Sequence, residues 1–305
     1  MTRTRCATAA AAIAAVLLLS SACGSTKAPV VGPLNVALVA PTSAPPARPV
    51  APVATSPVVK ATPSEPVSLR DPAKKELAMQ LVSSAENSTL NWRGQYGYLE
   101  DIGDGRGYTG GLIGFTSGTG DMLMLVRNLT ATAPRNPLAP FLPALRAVNG
   151  SDSHDGLGEA FEGAWRQTAT DPRFAAKFVA AQDRLRDTVY FEPAVAAATA
   201  DGLPLLGQFA YYDAAVMHGP GTDPESFGGI RAAAMKQART PAQGGSLARY
   251  LDAFWRARIA VMRSEPAHQD VSRVTDLEQK FARDGNYSLQ TPLTWSVYGD
   301  TYSIR

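Results

Sequence analysis

The stretch AENSTLNW (Ala85–Trp92), followed after Arg93-Gly94-Gln95 by YGYLEDIGDGRGYTGG (Tyr96–Gly111), decides how the rest of the chain is read. A helix rich in apolar residues runs into it and ends on an acid, Glu86. Beyond that point Gln95–Glu100 and Tyr108–Phe115 carry aromatic and β-branched residues on either side of Gly103-Asp104-Gly105-Arg106-Gly107. Glycines at that density allow positive φ, so the pattern predicts a small antiparallel sheet whose turn carries Asp104 and Arg106. Two carboxyls, one at a helix end and one on a hairpin turn, come within reach of each other in this way. Asp-Gly also recurs in hairpins for conformational reasons alone, so the turn by itself does not assign Asp104 a role.

Upstream, Asp71-Pro72 opens the first helix, with Asp as N-cap and Pro at the first helical position. Leu77, Leu81 and Val82, with Ala78 and Ala85, share one face, and Lys74, Lys75 and Gln80 lie outside it. Glu86 then stands where the helix runs out, facing the negative end of the dipole, which disfavours its charged form. Such a setting suits an acid that must hold its proton near neutral pH.

Downstream of Gly118-Thr119-Gly120 the pattern turns helical and stays so. Helices are predicted over Asp121–Leu129, Pro140–Asn149, Leu157–Thr168, Pro172–Tyr190, Leu203–His218, Ser226–Ala238, Leu247–Arg263 and Arg273–Arg283. The Leu203–His218 segment is apolar almost all round, the mark of a central buried helix. The class is therefore mainly α (α+β), with one small antiparallel sheet near the start of the folded part and no repeat of solenoid length.

The first 22 residues have a basic start (Arg3, Arg5) and an apolar run from Ala7 to Leu19, the pattern of a secretory signal. Leu19-Ser20-Ser21-Ala22-Cys23 resembles a lipoprotein box in which Cys23 is acylated. Residues 23–67 are rich in Pro, Ala, Val and Thr, a composition that cannot bury enough surface to offset its ordering entropy, so they read as a tether. The folded domain is then 68–305, outside the cell, secreted or held by lipid at the outer face of the membrane.

That domain carries 24 Lys plus Arg against 26 Asp plus Glu, a balance that argues against a nucleic-acid binder. The chain's two cysteines, Cys6 and Cys23, both precede the fold, which leaves no disulfide and no thiol nucleophile inside it. His154, His218 and His268 are far apart and match no metal-ligand spacing; His218, at the end of the buried helix, reads as a hydrogen-bonded core residue. No Gly-x-Ser-x-Gly elbow is present, and no cofactor is called for. The paired carboxylates remain as the candidate chemistry, of the kind that cleaves glycosidic bonds.

The sequence resembles the glycoside hydrolase family 46 chitosanases from Asp71 to the C-terminus. The resemblance is carried by SSAEN (Ser83–Asn87), YLEDIGDGRGYTGG (Tyr98–Gly111), GTGDM (Gly118–Met122), LPAL and VNGS (Leu142–Ser151), GQFAYYDAAVMHGPG (Gly207–Gly221), FGGIR (Phe227–Arg231) and ARTPAQGG (Ala238–Gly245).

The resemblance implies a two-lobed lysozyme-like fold and endo-hydrolysis of the β-1,4 bonds of chitosan with inversion; the chain is expected to act as a monomer. Glu86 matches the family's general acid, Asp104 the general base, and Thr109 the residue that helps place the attacking water. An inverting pair stands roughly 6.5 to 9.5 Å apart to admit that water. Asp121 matches a residue that binds a glucosamine unit on the glycone side, Arg106 and Tyr98 line the same cleft, and Glu265 matches an acidic cleft residue. Asp213, Arg258 and Arg273 match a buried ion-pair network behind the site. Gln269 departs from the family, standing where an aspartate is expected. Chitosan's ammonium groups would be held by Asp121, Glu100, Asp101 and Glu265 through charge-assisted hydrogen bonds. Two alternatives stay open: a lysozyme-like hydrolase of another amino-sugar polymer, and an inactive aminoglycan-binding surface protein.

Overall fold

The structure, a computed structural model, describes residues 68–265 and 269–305. The stretch read as an export signal, Cys23, the stretch read as a tether to residue 67 and His268 lie outside these residues. Helix α1 (Pro72–Glu86) begins where the Asp71 carboxylate accepts hydrogen bonds from the backbone N–H groups of Ala73 and Lys74. Its apolar face, Leu77, Ala78, Leu81 and Val82, is buried, and Glu86 is its last residue.

A short 3-10 turn (Trp92–Gly97) follows where the first strand was expected to start, so the strand is shorter and later than the sequence suggests. Strands β1 (Leu99–Asp101), β2 (Tyr108–Gly110) and β3 (Phe115–Thr116) form an antiparallel sheet in the order β1-β2-β3, with Glu100 opposite Thr109 and Thr109 opposite Thr116. Gly110 is required in the middle strand: a Cβ there would stand 2.7 Å from Leu99 Cδ1 and 3.0 Å from Trp165 Cζ2.

Helices α2 (Asp121–Thr132), α3 (Leu142–Val148), α4 (Gly158–Thr170) and α5 (Ala175–Leu185) pack beside this sheet as one lobe. The helix expected to stop at Tyr190 continues, because α5 passes through a π-helical turn (Arg186–Phe191) directly into α6 (Glu192–Ala200). Pro193 has no N–H to give the preceding turn, and the widened turn ahead of it accommodates that loss. Ala194, Val195 and Ala198 then carry the buried face onward against α7 (Leu205–His218), which is buried along nearly its whole length.

The second lobe is completed by α8 (Phe227–Gln237) along α9 (Leu247–Ser264), a π-helical segment (Arg273–Glu278) running into α10 (Gln279–Arg283), and a C-terminal hairpin, β4 (Leu293–Val297) and β5 (Asp300–Ile304). This hairpin is a second sheet where the sequence reading expected one. Trp295 anchors it, buried and donating from Nε1 to Ser84 Oγ of α1 at 3.0 Å. The mainly α, two-lobed arrangement is lysozyme-like, as the resemblance implies.

Candidate active site

Glu86 leaves α1 beside the turn between β1 and β2, so helix and sheet each supply one wall of a cavity of about 380 Å³. Glu86, Asp104, Thr109 and Tyr98 line it, with Ile102 from the turn and Tyr298 from the C-terminal hairpin. A second cavity of about 580 Å³ adjoins it, sharing Asp104, Arg106, Ile113, Gly114, Val216 and Met217. Asp121 and Glu265 line only this second one, and Glu86 only the first. Together they form one cleft.

Asp104 is held where it stands by its own turn. Arg106 donates from Nε to Asp104 Oδ2 at 2.8 Å and from its backbone N–H to Oδ1 at 3.0 Å, and Nη2 lies 2.7 Å from Oδ2. Positive φ at Gly103, Gly105 and Gly107 lets the chain curl tightly enough for this. Thr109, in β2, is buried, and its Oγ1 has no protein hydrogen-bond partner. A buried hydroxyl left unsatisfied costs about 1 to 3 kcal/mol, so this one is poised for a partner that is not protein. The site is kept open around it by Gly114, where a Cβ would lie 3.3 Å from Thr109 Cγ2 and 3.7 Å from Glu86 Oε2.

Glu86 is backed by a chain of buried charges. Arg273 donates from Nη1 to Glu86 Oε1 at 2.6 Å, and from Nε and Nη2 to the two oxygens of Asp213 at 2.9 and 2.8 Å. Asp213 Oδ2 also accepts from Arg258 Nη2 at 2.7 Å. Arg258 in turn donates from Nη1 to Glu278 Oε1 at 2.6 Å and from Nε to His218 Nε2 at 3.4 Å. Trp255 Nε1 closes the chain on Glu278 Oε2 at 2.7 Å. The two guanidinium groups hold Asp213 far below the usual carboxylate range despite its burial. Glu278 goes the other way: burial, with the charge of Asp213 adding to it, pushes the carboxyl up to about 8 against the pull of Arg258 and Trp255.

The structure thus brings Asp213, Arg258 and Arg273 into contact and joins them to Glu86. Sequence reasoning missed Glu278 and Trp255. Glu278 was detectable: with Val274, Leu277 and Phe281 it occupies one apolar helical stripe, the same anomaly that singled out Asp213.

Asp121 sits at the start of α2. Its Oδ1 accepts from the backbone N–H groups of Thr116 and Met122, both at 2.8 Å, and from Thr119 Oγ1 at 3.0 Å; Tyr190 OH donates to Oδ2 at 2.9 Å. Burial pushes its carboxyl above the usual carboxylate range, against the pull of those four bonds. Around it the larger cavity is strongly acidic: Asp104, Asp121, Asp223, Glu225 and Glu265 line it, against the single guanidinium of Arg106. Asp223 and Glu225 were not anticipated.

Glu100 and Asp101 stand outside both cavities; Tyr98 OH donates to Glu100 at 3.1 Å, and Asp101 lies 3.3 Å from His154 Nε2. Gln269 lines neither cavity and donates from Nε2 to the backbone carbonyls of Arg263 and Glu265, each at 2.9 Å. An aspartate could not make those two bonds.

Comparison with known proteins agrees in family with this arrangement. The chain is 61% identical over 237 residues to the chitosanase of Streptomyces sp. (strain N174), covering 78% of this chain and 84% of that one. It is 58% identical over 239 residues to the chitosanase of Nocardioides sp. (strain N106), again covering 78% and 84%. Among solved structures, the co-crystal structure of chitosanase OU01 with substrate superimposes with a TM-score of 0.76 at 58% identity, over 79% of this chain and all of that one (100%). The model of glycosyl hydrolase family 46 matches residues 80–293, from within α1, through the cleft and its buried charges, to the first residue of β4. With the match running that far and relatives this similar over most of both lengths, the chain belongs to glycosyl hydrolase family 46.

Proposed function

We propose that the chain is an endo-acting, inverting chitosanase in which Glu86 is the general acid and Asp104 the general base. Glu86 gives its proton to the glycosidic oxygen as the bond to the anomeric carbon breaks. A water on the opposite face forms the new bond to that carbon and gives its proton to Asp104. Thr109 Oγ1 holds the water. The observation that carries this reading is the buried hydroxyl of Thr109, without a protein partner in a cavity walled by Glu86 on one side and Asp104 on the other. Arg106 fixes Asp104, and the Arg273–Asp213–Arg258 network fixes Glu86.

The acids of the larger cavity support a cationic polymer as substrate, with Asp121 and Glu265 taking its ammonium groups by charge-assisted hydrogen bonds. Arg106 and Tyr98 contribute further cleft contacts. The relatives' printed name, chitosanase, agrees with that substrate class. The basic start, apolar run and Cys23 box support export, lipid attachment at Cys23 and action at the outer face of the membrane, with the Pro-rich tether giving a monomeric domain reach. The test is proton NMR of early hydrolysis of highly deacetylated chitosan. The α-anomer appears first if the pair inverts, and first formation of the β-anomer contradicts the assignment.

A further inference from the structure

Three large apolar side chains are markedly exposed among the described residues: Ile102 (52%), Met124 (42%) and Tyr298 (41%). Two of them, Ile102 and Tyr298, line the cavity that holds Glu86, although they come from opposite ends of the domain. Tyr298 occupies the tip of the β4–β5 hairpin, where Val297 pairs with Asp300 and only Tyr298 and Gly299 form the loop. Both loop residues have positive φ, +51 and +89. A two-residue loop of that kind favours Asn-Gly or Asp-Gly, and an aromatic residue at its first position is out of place on conformational grounds. Such an outlier beside an active site points to a use for the side chain.

The tip is also fastened to the catalytic machinery. Tyr298 donates its backbone N–H to Ser272 Oγ at 2.8 Å, and the next residue, Arg273, holds Glu86. Burial raises the phenol's pKa, with Arg273 opposing and Glu86 adding to it, while the residue as a whole stays exposed. The family match ends at residue 293, before this tip.

Direction along the cleft follows from which cavity each acid lines. Glu86 lines only the smaller cavity, Asp121 and Glu265 only the larger, and Asp104 both. Because a general acid protonates the leaving oxygen, the smaller cavity is the leaving-group side. We propose that Tyr298, with Ile102 facing the same cavity, is the platform for the sugar on the leaving-group side of the scissile bond. The inference rests on the assignment of Glu86 as the acid. The ring offers an apolar surface to the sugar's C–H face and an attractive site for its ammonium group.

The test uses the full chain with Tyr298→Asn, which restores Asn-Gly to the loop, and Tyr298→Phe, which keeps the ring. The Asn variant should melt at or above the parent temperature while its KM for highly deacetylated chitosan rises about tenfold. Every register in which a six-sugar glucosamine oligomer is cut places a sugar on this platform, so the yields of its products should fall together with their ratio kept. The Phe variant should stay within about twofold of the parent. Unchanged KM and product yields in the Asn variant, a lower melting temperature in it, or an equal loss in the Phe variant would each overturn the proposal. Failure of the underlying assignment is separately visible, as full activity of Glu86→Gln.

Discussion

Arg273 holds Glu86 and Asp213 at once, donating to Glu86 Oε1 at 2.6 Å and to the two oxygens of Asp213 at 2.8 and 2.9 Å. All three nitrogens of this fork donate to one or other of the two acids, so the orientation of Glu86 is fixed by a residue buried behind it. Lysine, a point charge, cannot reproduce a planar fork that bonds two acids together. Arg273→Lys should therefore cut kcat and lower stability. Arg273→Ala should cost about 3 to 5 kcal/mol by leaving Asp213 short of a partner, as a shift in urea midpoint would show. An unchanged midpoint in the alanine variant would mean the network is not structurally coupled.

Thr109 separates chemistry from folding. Its Oγ1 makes no protein hydrogen bond, so Thr109→Val should leave the melting temperature unchanged or slightly raised. The loss of the water's holder should lower kcat by about 10- to 100-fold with KM little altered. A variant that melts early but turns over normally would refute the role.

Glu278 predicts a pH dependence of stability. An unfolded glutamate gives up its proton near 4.5, whereas Glu278 in the fold keeps it to about 8. Because the native state binds the extra proton between these values, this contribution is fully present below about 4.5. It is lost as pH rises toward 8. Asp213 is depressed, so its contribution holds across that window and is lost only in strong acid. Melting temperatures of the wild type should fall between pH 5 and 8 by several degrees more than those of Glu278→Gln. Parallel curves would contradict the protonated carboxyl.

The acidic larger cavity predicts salt sensitivity. Raising ionic strength from about 0.01 to about 1 M shortens the screening length from about 30 to about 3 Å. KM for long, highly deacetylated chitosan should rise several-fold over that range, with kcat changing less. Indifference of KM to salt would exclude charge as the basis of binding.

Most of the helical frame was legible because burial imposes a 3.6-residue period on α1, α2 and α4, α7 is apolar almost all round, and Asp71-Pro72 and Gly118–Gly120 punctuate the pattern. The passage of α5 into α6 was not, since Pro193 reads as a stop unless the π turn ahead of it is known. Nor was the C-terminal hairpin: its strands alternate, but a tyrosine stands at the loop position where Asn would have signalled the turn. In the cleft, Glu86 and Asp104 were legible as candidates through the helix end and the glycine-rich turn, and Thr109 through the resemblance. Asp223, Glu225 and Tyr298 were not, because each reaches the cleft only through packing of elements distant in the chain.

The central claim is tested most directly by the initial rate of viscosity loss of highly deacetylated chitosan with the wild type and with Glu86→Gln side by side. The account predicts rapid loss with the parent and a rate lower by about 10²- to 10⁴-fold with the variant, whose fold and melting temperature are kept. Equal rates would contradict Glu86 as the acid, and with it the direction assigned to the cleft.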